Sequence, residues 1–390
     1  MTNIFHIVRG ISPKFEESHL SLPFDQSGLD SFDLLVIRVR LENETEQRIP
    51  DSQWISFKSL QDIQNYLDQI TPLAPEQAES AGITSRRKTF MNMPQMAMGG
   101  LSESWLFKEF GDLHWGMTCD ALNSESHDLL DELGNRLYAT FVRVRIESSH
   151  HLKQFQENEM LDFQGRLSRF GKSMFFSDIA LRGEGKQIKA SLMSTFSVRH
   201  SNNKSLLKGE PSIPANCPAQ SLASMPVFAE EYREMRKGNM RELALRDEMF
   251  YAHKELLFET TYRINPYQDL NGVNLLYFAA YPMISDYCEM EFIRHQREDS
   301  SSGNWPLEAS NIARDVFYYG NCDLDDRIVF GVNSYDLAGD RKLRIATSLF
   351  RESDRQLIAN IFTVKELTDK GVGLLKPAGL IQFTSSSDAN

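Results

Sequence analysis

The spacing of apolar and polar positions divides the chain into a short helical head and a long body of alternating strands. In the head, Phe32, Leu34, Leu35, Ile37 and Val39 form a dense apolar run behind Gly28 and Asp30. This predicts a helix from Ser31 to about Glu44, turned in by Gly28 and capped by Asp30 or Ser31. Asn3 to Gly10 and Phe57 to Ile70 read as further helices around a long loop through Pro23, so residues 1–72 fit a small four-helix module. Residues 73–89 are rich in Pro, Ala, Glu, Gln and Ser with little periodicity and read as a linker.

From residue 90 the pattern changes. A short strand-like stretch, Met91 to Met98, breaks at Gly99-Gly100 and feeds a helix bearing Trp105, Leu106, Phe110, Leu113, Trp115 and Met117. Arg136 to Glu147 then alternates, with Leu137, Ala139 and Phe141 on one face and Tyr138, Thr140, Val142 and Val144 on the other. Leu161 to Arg169, Lys172 to Leu181 and Lys189 to Val198 follow as antiparallel strands. A proline-bearing polar stretch, Lys204 to Pro226, reads as a crossover. The order then recurs: strand Leu257 to Ile264, turn Asn265 to Gly272, an apolar helix Val273 to Ile284, and strands Asp315 to Tyr319, Arg327 to Tyr335, Lys342 to Glu352 and Gln356 to Leu367. A helix followed by an antiparallel meander, twice over, predicts an α+β double hot-dog, two antiparallel sheets each wrapped round a central helix. Its halves would be residues 90–205 and 257–390, with 206–256 as the crossover.

Composition narrows the function classes. At 390 residues and 41% hydrophobic content the chain can bury two or three cores. No apolar run approaches the ~20 residues of a membrane span, and no basic-then-apolar leader opens the chain; a cytoplasmic protein without membrane contact is expected. A net charge of −12 with no basic stripe argues against nucleic acid. Cys119, Cys217, Cys288 and Cys322 are far apart and form no CxxC pair, so neither a zinc site nor a disulfide framework is expected. Residues 1–70 hold 11 acidic against 6 basic side chains, an acidic head suited to a basic docking patch.

Ser31 is the first candidate for chemistry. At a helix N-terminus its hydroxyl is open to modification, and a phosphodiester formed there would meet free backbone N–H groups and the positive end of the helix dipole. The bland alternative for the segment is an ordinary capped helix in a small bundle. The whole head resembles an acyl carrier protein, in which Gly28-Leu29-Asp30-Ser31 is the modification motif; Phe32 departs from the more usual Leu or Met. The resemblance implies 4′-phosphopantetheine attached covalently to Ser31.

A second resemblance covers roughly residues 90–370. Met93-Pro94-Gln95-Met96, Gly99 to Leu106, Gly111-Asp112-Leu113-His114-Trp115 and Gly134-Asn135-Arg136-Leu137-Tyr138-Ala139-Thr140-Phe141 are similar to the LnmK-type family, as are Asn265-Pro266-Tyr267, Asp269, Asn271-Gly272 and Leu275 to Pro282. These double hot-dog enzymes of polyketide assembly lines decarboxylate methylmalonyl-coenzyme A and pass the propionyl group to a carrier protein. The resemblance implies an acyl-coenzyme A substrate of malonyl type, an acyl carrier protein as acceptor (the chain's own head or one in trans), polyketide synthase components as partners, and no metal. It assigns the chemistry to a tyrosine that matches Tyr138, either as proton donor or as acyl acceptor.

Decarboxylation leaves an enolate whose oxygen needs preorganised donors. Backbone N–H groups at Gly99, Gly100, Leu101 and Ser102, or around Asn265 and Gly272, are the expected donors at the two central helices. Asp269 and Asn271 read either as a cap and turn or, by similarity to the Asp-x-x-Gly start of hot-dog thioesterases, as catalytic residues. A thioesterase acting on carrier- or coenzyme A-bound acyl chains is therefore the alternative function, and a non-catalytic docking module a third. His114 is expected to be structural, and His150-His151 to lie on a loop. A homodimer suits a hot-dog sheet edge, though no residue encodes it.

Overall fold

The computed structural model describes residues 4–45, 49–67, 82–98, 100–199, 206–253, 255–296 and 304–375. The head contains α1 (Ile4–Arg9), α2 (Ser31–Thr45), α3 (Asp51–Ser56) and α4 (Leu60–Leu67). Asp30 is the residue that caps α2: its Oδ1 accepts from the backbone N–H groups of Phe32 (2.9 Å) and Asp33 (2.8 Å). Ser31 is thereby left in the first turn with its side chain uncommitted to the cap.

The body begins with β1 (Thr84–Phe90), β2 (Met96–Ala97), β3 (Gly100–Leu101) and α5 (Glu103–Leu122), followed by β4 (Leu137–Ser148), β5 (Met160–Phe170), β6 (Met174–Gly183), β7 (Lys186–Arg199), β8 (Leu206–Gly209) and β9 (Gln220–Ser221). Next come α6 (Val227–Arg236), the hairpin β10 (Glu242–Leu245) and β11 (Glu248–Tyr251), β12 (Phe258–Arg263), α7 (Ala280–His295) and α8 (Trp305–Glu308). The last elements are β13 (Ala309–Tyr318), β14 (Arg327–Ala338), β15 (Lys342–Arg351), β16 (Leu357–Leu367) and α9 (Asp369–Leu375).

Ten strands run in the order β1-β5-β6-β7-β4-β13-β16-β15-β14-β12, with β8 added to β7 and β9 to β5. This corrects the expectation of two sheets. Both strand sets are present, but β4 and β13 pair edge to edge, Val144 opposite Val316 and Arg143 opposite Phe317, so a single antiparallel sheet serves both halves. The pairing removes two edges that would otherwise be open to other chains. β1 is a second correction: residues 84–89, expected in the linker, form with Phe90 an edge strand on β5. Its sequence, Thr-Ser-Arg-Arg-Lys-Thr-Phe, is polar because it forms an edge, where Arg86 clamps Asp162 across the ladder. The remainder of the linker before residue 82 lies outside the described residues.

The two faces of the sheet are covered differently. α5 and α7 lie on one face and share a core with Phe163, Phe175, Phe196, Phe330 and Ile345. α5 presents Leu106, Phe110, Leu113, Met117 and Ala121 to the sheet, a helical stripe. On the opposite face, the head, α6 and the β10–β11 hairpin bury Phe170, Met174, Phe176, Phe317 and Phe362. The segment assigned as a plain crossover is thus a structured cover.

α6 is fixed to the sheet by a buried guanidinium. Arg143 lies between the rings of Phe228 (4.2 Å) and Phe317 (4.3 Å), makes two hydrogen bonds to the Asp315 carboxylate (3.0 and 2.7 Å), and donates to the Phe228 carbonyl (2.7 Å). Arg145 adds a bond to Asp315 and another to Glu231 of α6. The two arginines hold the Asp315 carboxyl below the usual carboxylate range, against the desolvation that opposes them.

His114 is structural. Its ring is fully buried between the hydroxyls of Ser177 (2.8 Å) and Ser194 (2.7 Å), and burial pushes its pKa down to about 3. The folded state therefore binds fewer protons here than the unfolded chain, whose histidine titrates near 6.5. The stabilisation is complete above about pH 6.5 and declines as pH falls toward 3. We expect His114→Gln to flatten the fall in denaturant midpoint between pH 7 and pH 4.5 relative to the wild type. An unchanged pH dependence would remove this residue from the acid sensitivity.

Candidate active site

One cavity of about 890 Å³ opens where the head, α6 and the two halves of the body meet. Ser31, Phe32 and Leu35 of α2 form one wall. Gly111, Asp112 and Trp115 of α5, and Tyr138 to Val142 of β4, form the next. The segment from Asn271 to Tyr281 ahead of and into α7, and Tyr318 to Asn321 at the end of β13, close the far side. Arg136, Arg199, Lys208, Arg236 and Arg351 give the lining a basic character in an otherwise acidic chain.

Tyr138 belongs to this wall with the next four residues of β4, which meets β7 with a bulge between Phe141 and Arg143. It sits at the start of the strand opposite Ser197 of β7, half-buried, and the Arg136 guanidinium lies 5.0 Å from its ring centroid. Thr140, two residues on, donates to Ser197 Oγ at 2.8 Å. The two halves meet at an aromatic contact below this point, with the rings of Phe141 and Phe278 4.2 Å apart. Gly111 permits that contact, since a Cβ there would lie 2.5 Å from Phe278 Cζ.

Several cavity tyrosines are committed to the fold. Tyr281 donates to the Gly320 carbonyl (2.8 Å), Tyr318 to the Phe278 carbonyl (3.0 Å), and Tyr232 to the Tyr318 carbonyl (2.9 Å). Tyr319 differs. Its hydroxyl is buried and has no hydrogen-bond partner among the described residues, although its ring lines the cavity and lies 5.9 Å from that of Tyr232. Burial raises its pKa well above 10, so it remains a neutral donor. A buried hydroxyl without a partner costs free energy that a bound oxygen acceptor would recover. Sequence reasoning passed over Tyr319. Tyr318-Tyr319 puts one aromatic on each side of the strand, and only the packing of α6 reveals that the second phenol is buried beside this space without a partner.

The expected backbone donors lie elsewhere. Gly99 is outside the described residues. Gly100, Leu101 and Ser102 do precede α5, with Ser102 Oγ capping it by accepting from the Trp105 N–H at 3.3 Å. None of the three lines the cavity, and Gly100 is packed on the Lys153 backbone, where a Cβ would come within 2.4 Å of Cα. Gly272 does not open a helix, because α7 starts at Ala280 rather than Val273. Residues 271–279 form turns and the Leu270–Leu276 bridge, and Pro282 sits in the first turn of α7, where a missing N–H is tolerated.

Asp269 is fully buried and absent from the cavity lining. Its Oδ2 accepts from Tyr262 Oη (2.9 Å) and the Asn265 N–H (2.6 Å), so it ties the turn to β12. Asn265 in turn accepts from the Tyr267 N–H. Asn271 does line the cavity, but its Oδ1 is engaged by the N–H groups of Val273 and Leu275. The structure therefore brings Ser31, Tyr138 and Asn271 together and leaves Asp269, Asn265 and the Gly100 segment apart.

No protein-family model matches the chain, and no curated protein matches it. Solved structures superpose on about three quarters of the chain at low similarity. A protein described as an oleoyl thioesterase from Lactobacillus plantarum is 11% identical, with 74% of this chain and 97% of that chain covered at a TM-score of 0.49. The 12:0-ACP thioesterase of Umbellularia californica is 10% identical over 73% of this chain and 94% of its own, at a TM-score of 0.46. An acyl-ACP thioesterase from Bacteroides thetaiotaomicron, also 10% identical, covers 73% and 98% at 0.44. At these values the likeness does not assign an activity. Among the described residues no helix is long and apolar enough to cross a membrane, and no group of three or more His, Cys, Asp or Glu side chains is placed to hold a metal ion.

Proposed function

We propose that the chain is an acyl-thioester enzyme of double hot-dog type whose helical head is a carrier with a 4′-phosphopantetheine arm on Ser31. The observation that supports this reading is that Ser31, exposed in the first turn of a capped helix, lines the same cavity as Tyr138. The residues present suit the arm. Asp30 rather than Ser31 caps the helix, and the Arg236 guanidinium lies 3.9 Å from Asp30 beside the attachment point. When attached, the arm supplies a thiol that holds an acyl group as a thioester.

The chain's own residues do the rest. Trp115, Phe141, Phe196 and Phe278 give the cavity apolar walls that limit water. The phenols of Tyr138 and Tyr319 are the hydroxyl donors for a thioester oxygen as negative charge builds on it. The exposed Arg136 in the lining suits the phosphates of coenzyme A.

Two reactions fit these walls. The first is decarboxylation of a malonyl-type coenzyme A thioester, malonyl or methylmalonyl, with loading of the acyl group onto the chain's own carrier, as in polyketide biosynthesis. The position of Ser31 in the cavity wall favours it. Hydrolysis of carrier- or coenzyme A-bound acyl chains is the second, with the Asp112 carboxylate in the wall, which also pairs with Arg87 at 3.1 Å, as the acceptor for the proton of an attacking water.

Intact mass of the phosphopantetheinylated protein after incubation with malonyl- and methylmalonyl-coenzyme A separates the two. A gain of acetyl or propionyl on Ser31 is the result expected for loading. Unchanged protein mass with free coenzyme A and free acid indicates hydrolysis, and absence of any turnover overturns both.

A further inference from the structure

The head is not simply tethered to the body; it is keyed to it around Ser31. Lys237, immediately after α6, reaches the fully buried carboxylate of Asp33 at 2.6 Å, two residues from Ser31. Arg236 approaches Asp30 on the other side of the serine. Between these contacts the Phe32 ring meets Tyr232 of α6, with centroids 5.4 Å apart. Farther along α2, Arg38 pairs with Glu210 of the body and Val39 packs on Gly171, and at the start of α3 Lys172 reaches Asp51 at 3.3 Å. Gly171 has φ +65 and a Cβ there would lie 2.2 Å from Val39 Cγ2, so no other residue fits the turn without displacing the head.

From these contacts we infer that α6 and Lys237 are a carrier-recognition surface, specific for the chain's own head, which holds Ser31 at the cavity mouth during turnover. This inference rests on the reading of Ser31 as the arm-bearing residue. It explains Phe32, the departure from the carrier motif: a Leu or Met there offers Tyr232 no ring. It also explains the anchoring of α6 by Arg143, since a docking platform must itself be fixed. The charges beside the serine are opposite, Asp30 and Asp33 on the head facing Arg236 and Lys237 at the end of α6, which gives orientation as well as attraction.

Lys237→Glu places a carboxylate against Asp33 and tests the surface in the full-length chain. Small-angle scattering of a Ser31→Ala background, which carries no arm, reads docking independently of chemistry. The radius of gyration is expected to rise in the Lys237→Glu variant and to return in the Asp33→Lys/Lys237→Glu pair. With Ser31 intact, the rate of acyl turnover at the arm should fall by about tenfold or more in the single variant, because a docked group becomes one at linker-limited concentration, and recover in the pair. An unchanged radius in Lys237→Glu, failure of the pair to restore it, or a wild-type rate in an undocked variant each overturns the inference. A radius that responds as expected in a protein that shows no acyl turnover retains the docking and removes the catalytic reading instead.

Discussion

Ser31→Ala should abolish attachment of the pantetheine arm and with it all acylation of the protein, while leaving the fold intact. The cap of α2 depends on Asp30 and not on the serine hydroxyl, so the substitution removes the attachment point without removing a structural hydrogen bond. Alanine is also a good helix former in a first turn. The expected outcome is wild-type thermal stability, no mass gain with a phosphopantetheinyl transferase and coenzyme A, and no acyl adduct with any donor. Persistent acylation of the alanine variant would transfer the acceptor role to another residue, with Tyr138 the first to examine.

Tyr138→Phe is expected to reduce acyl turnover by roughly 10²-fold or more, the size seen when a positioned proton or hydrogen-bond donor is lost from a transition state. The phenol contributes little to the core: its ring is half-buried, and Arg136 can stack on phenylalanine as well. Loss of kcat with unchanged stability is therefore the expected pattern. A companion Tyr319→Phe removes a second phenol of the cavity lining and, because that hydroxyl is buried without a protein partner, should leave the protein as stable or slightly more so. Turnover unaffected by both substitutions would remove these two phenols from the chemistry and count against the proposed role of Tyr138.

The strands of the body were legible because alternation is a strong local signal. β4, β5, β6, β7, β14, β15 and β16 lie within a few residues of the ranges expected from apolar spacing. The misreadings have physical causes. An apolar run such as Val273 to Ile284 has the same composition as a buried loop followed by a helix, and α7 begins only where Tyr281, Ile284 and Cys288 find the core. β1 was hidden because edge strands are polar. The joining of two meanders into one sheet depends on β4 meeting β13, a contact between residues far apart in sequence that no local pattern encodes.

At the site, local chemistry was visible and direction was not. Ser31 announces itself by the turn and cap before it, and Tyr138 by its place in an alternating strand. Asp269 looked catalytic because a carboxylate ahead of an apolar helix often is; in three dimensions it faces Tyr262 and the Asn265 N–H instead. Tyr319 carried no sequence signal beyond being one of two neighbouring aromatics. Its unsatisfied hydroxyl appears only once α6, Tyr232 and the strand end are assembled.

The central claim is that an acyl group borne on Ser31 enters the cavity between the two halves. It is tested most directly by attaching to Ser31 a pantetheine arm whose acyl end carries a photoreactive diazirine, then irradiating and mapping the adducts by peptide mass spectrometry. Adducts on the cavity wall, at Tyr138, Trp115, Phe278 or Tyr319, are the predicted result. Adducts confined to surfaces outside that wall, with none on these four residues, would contradict it.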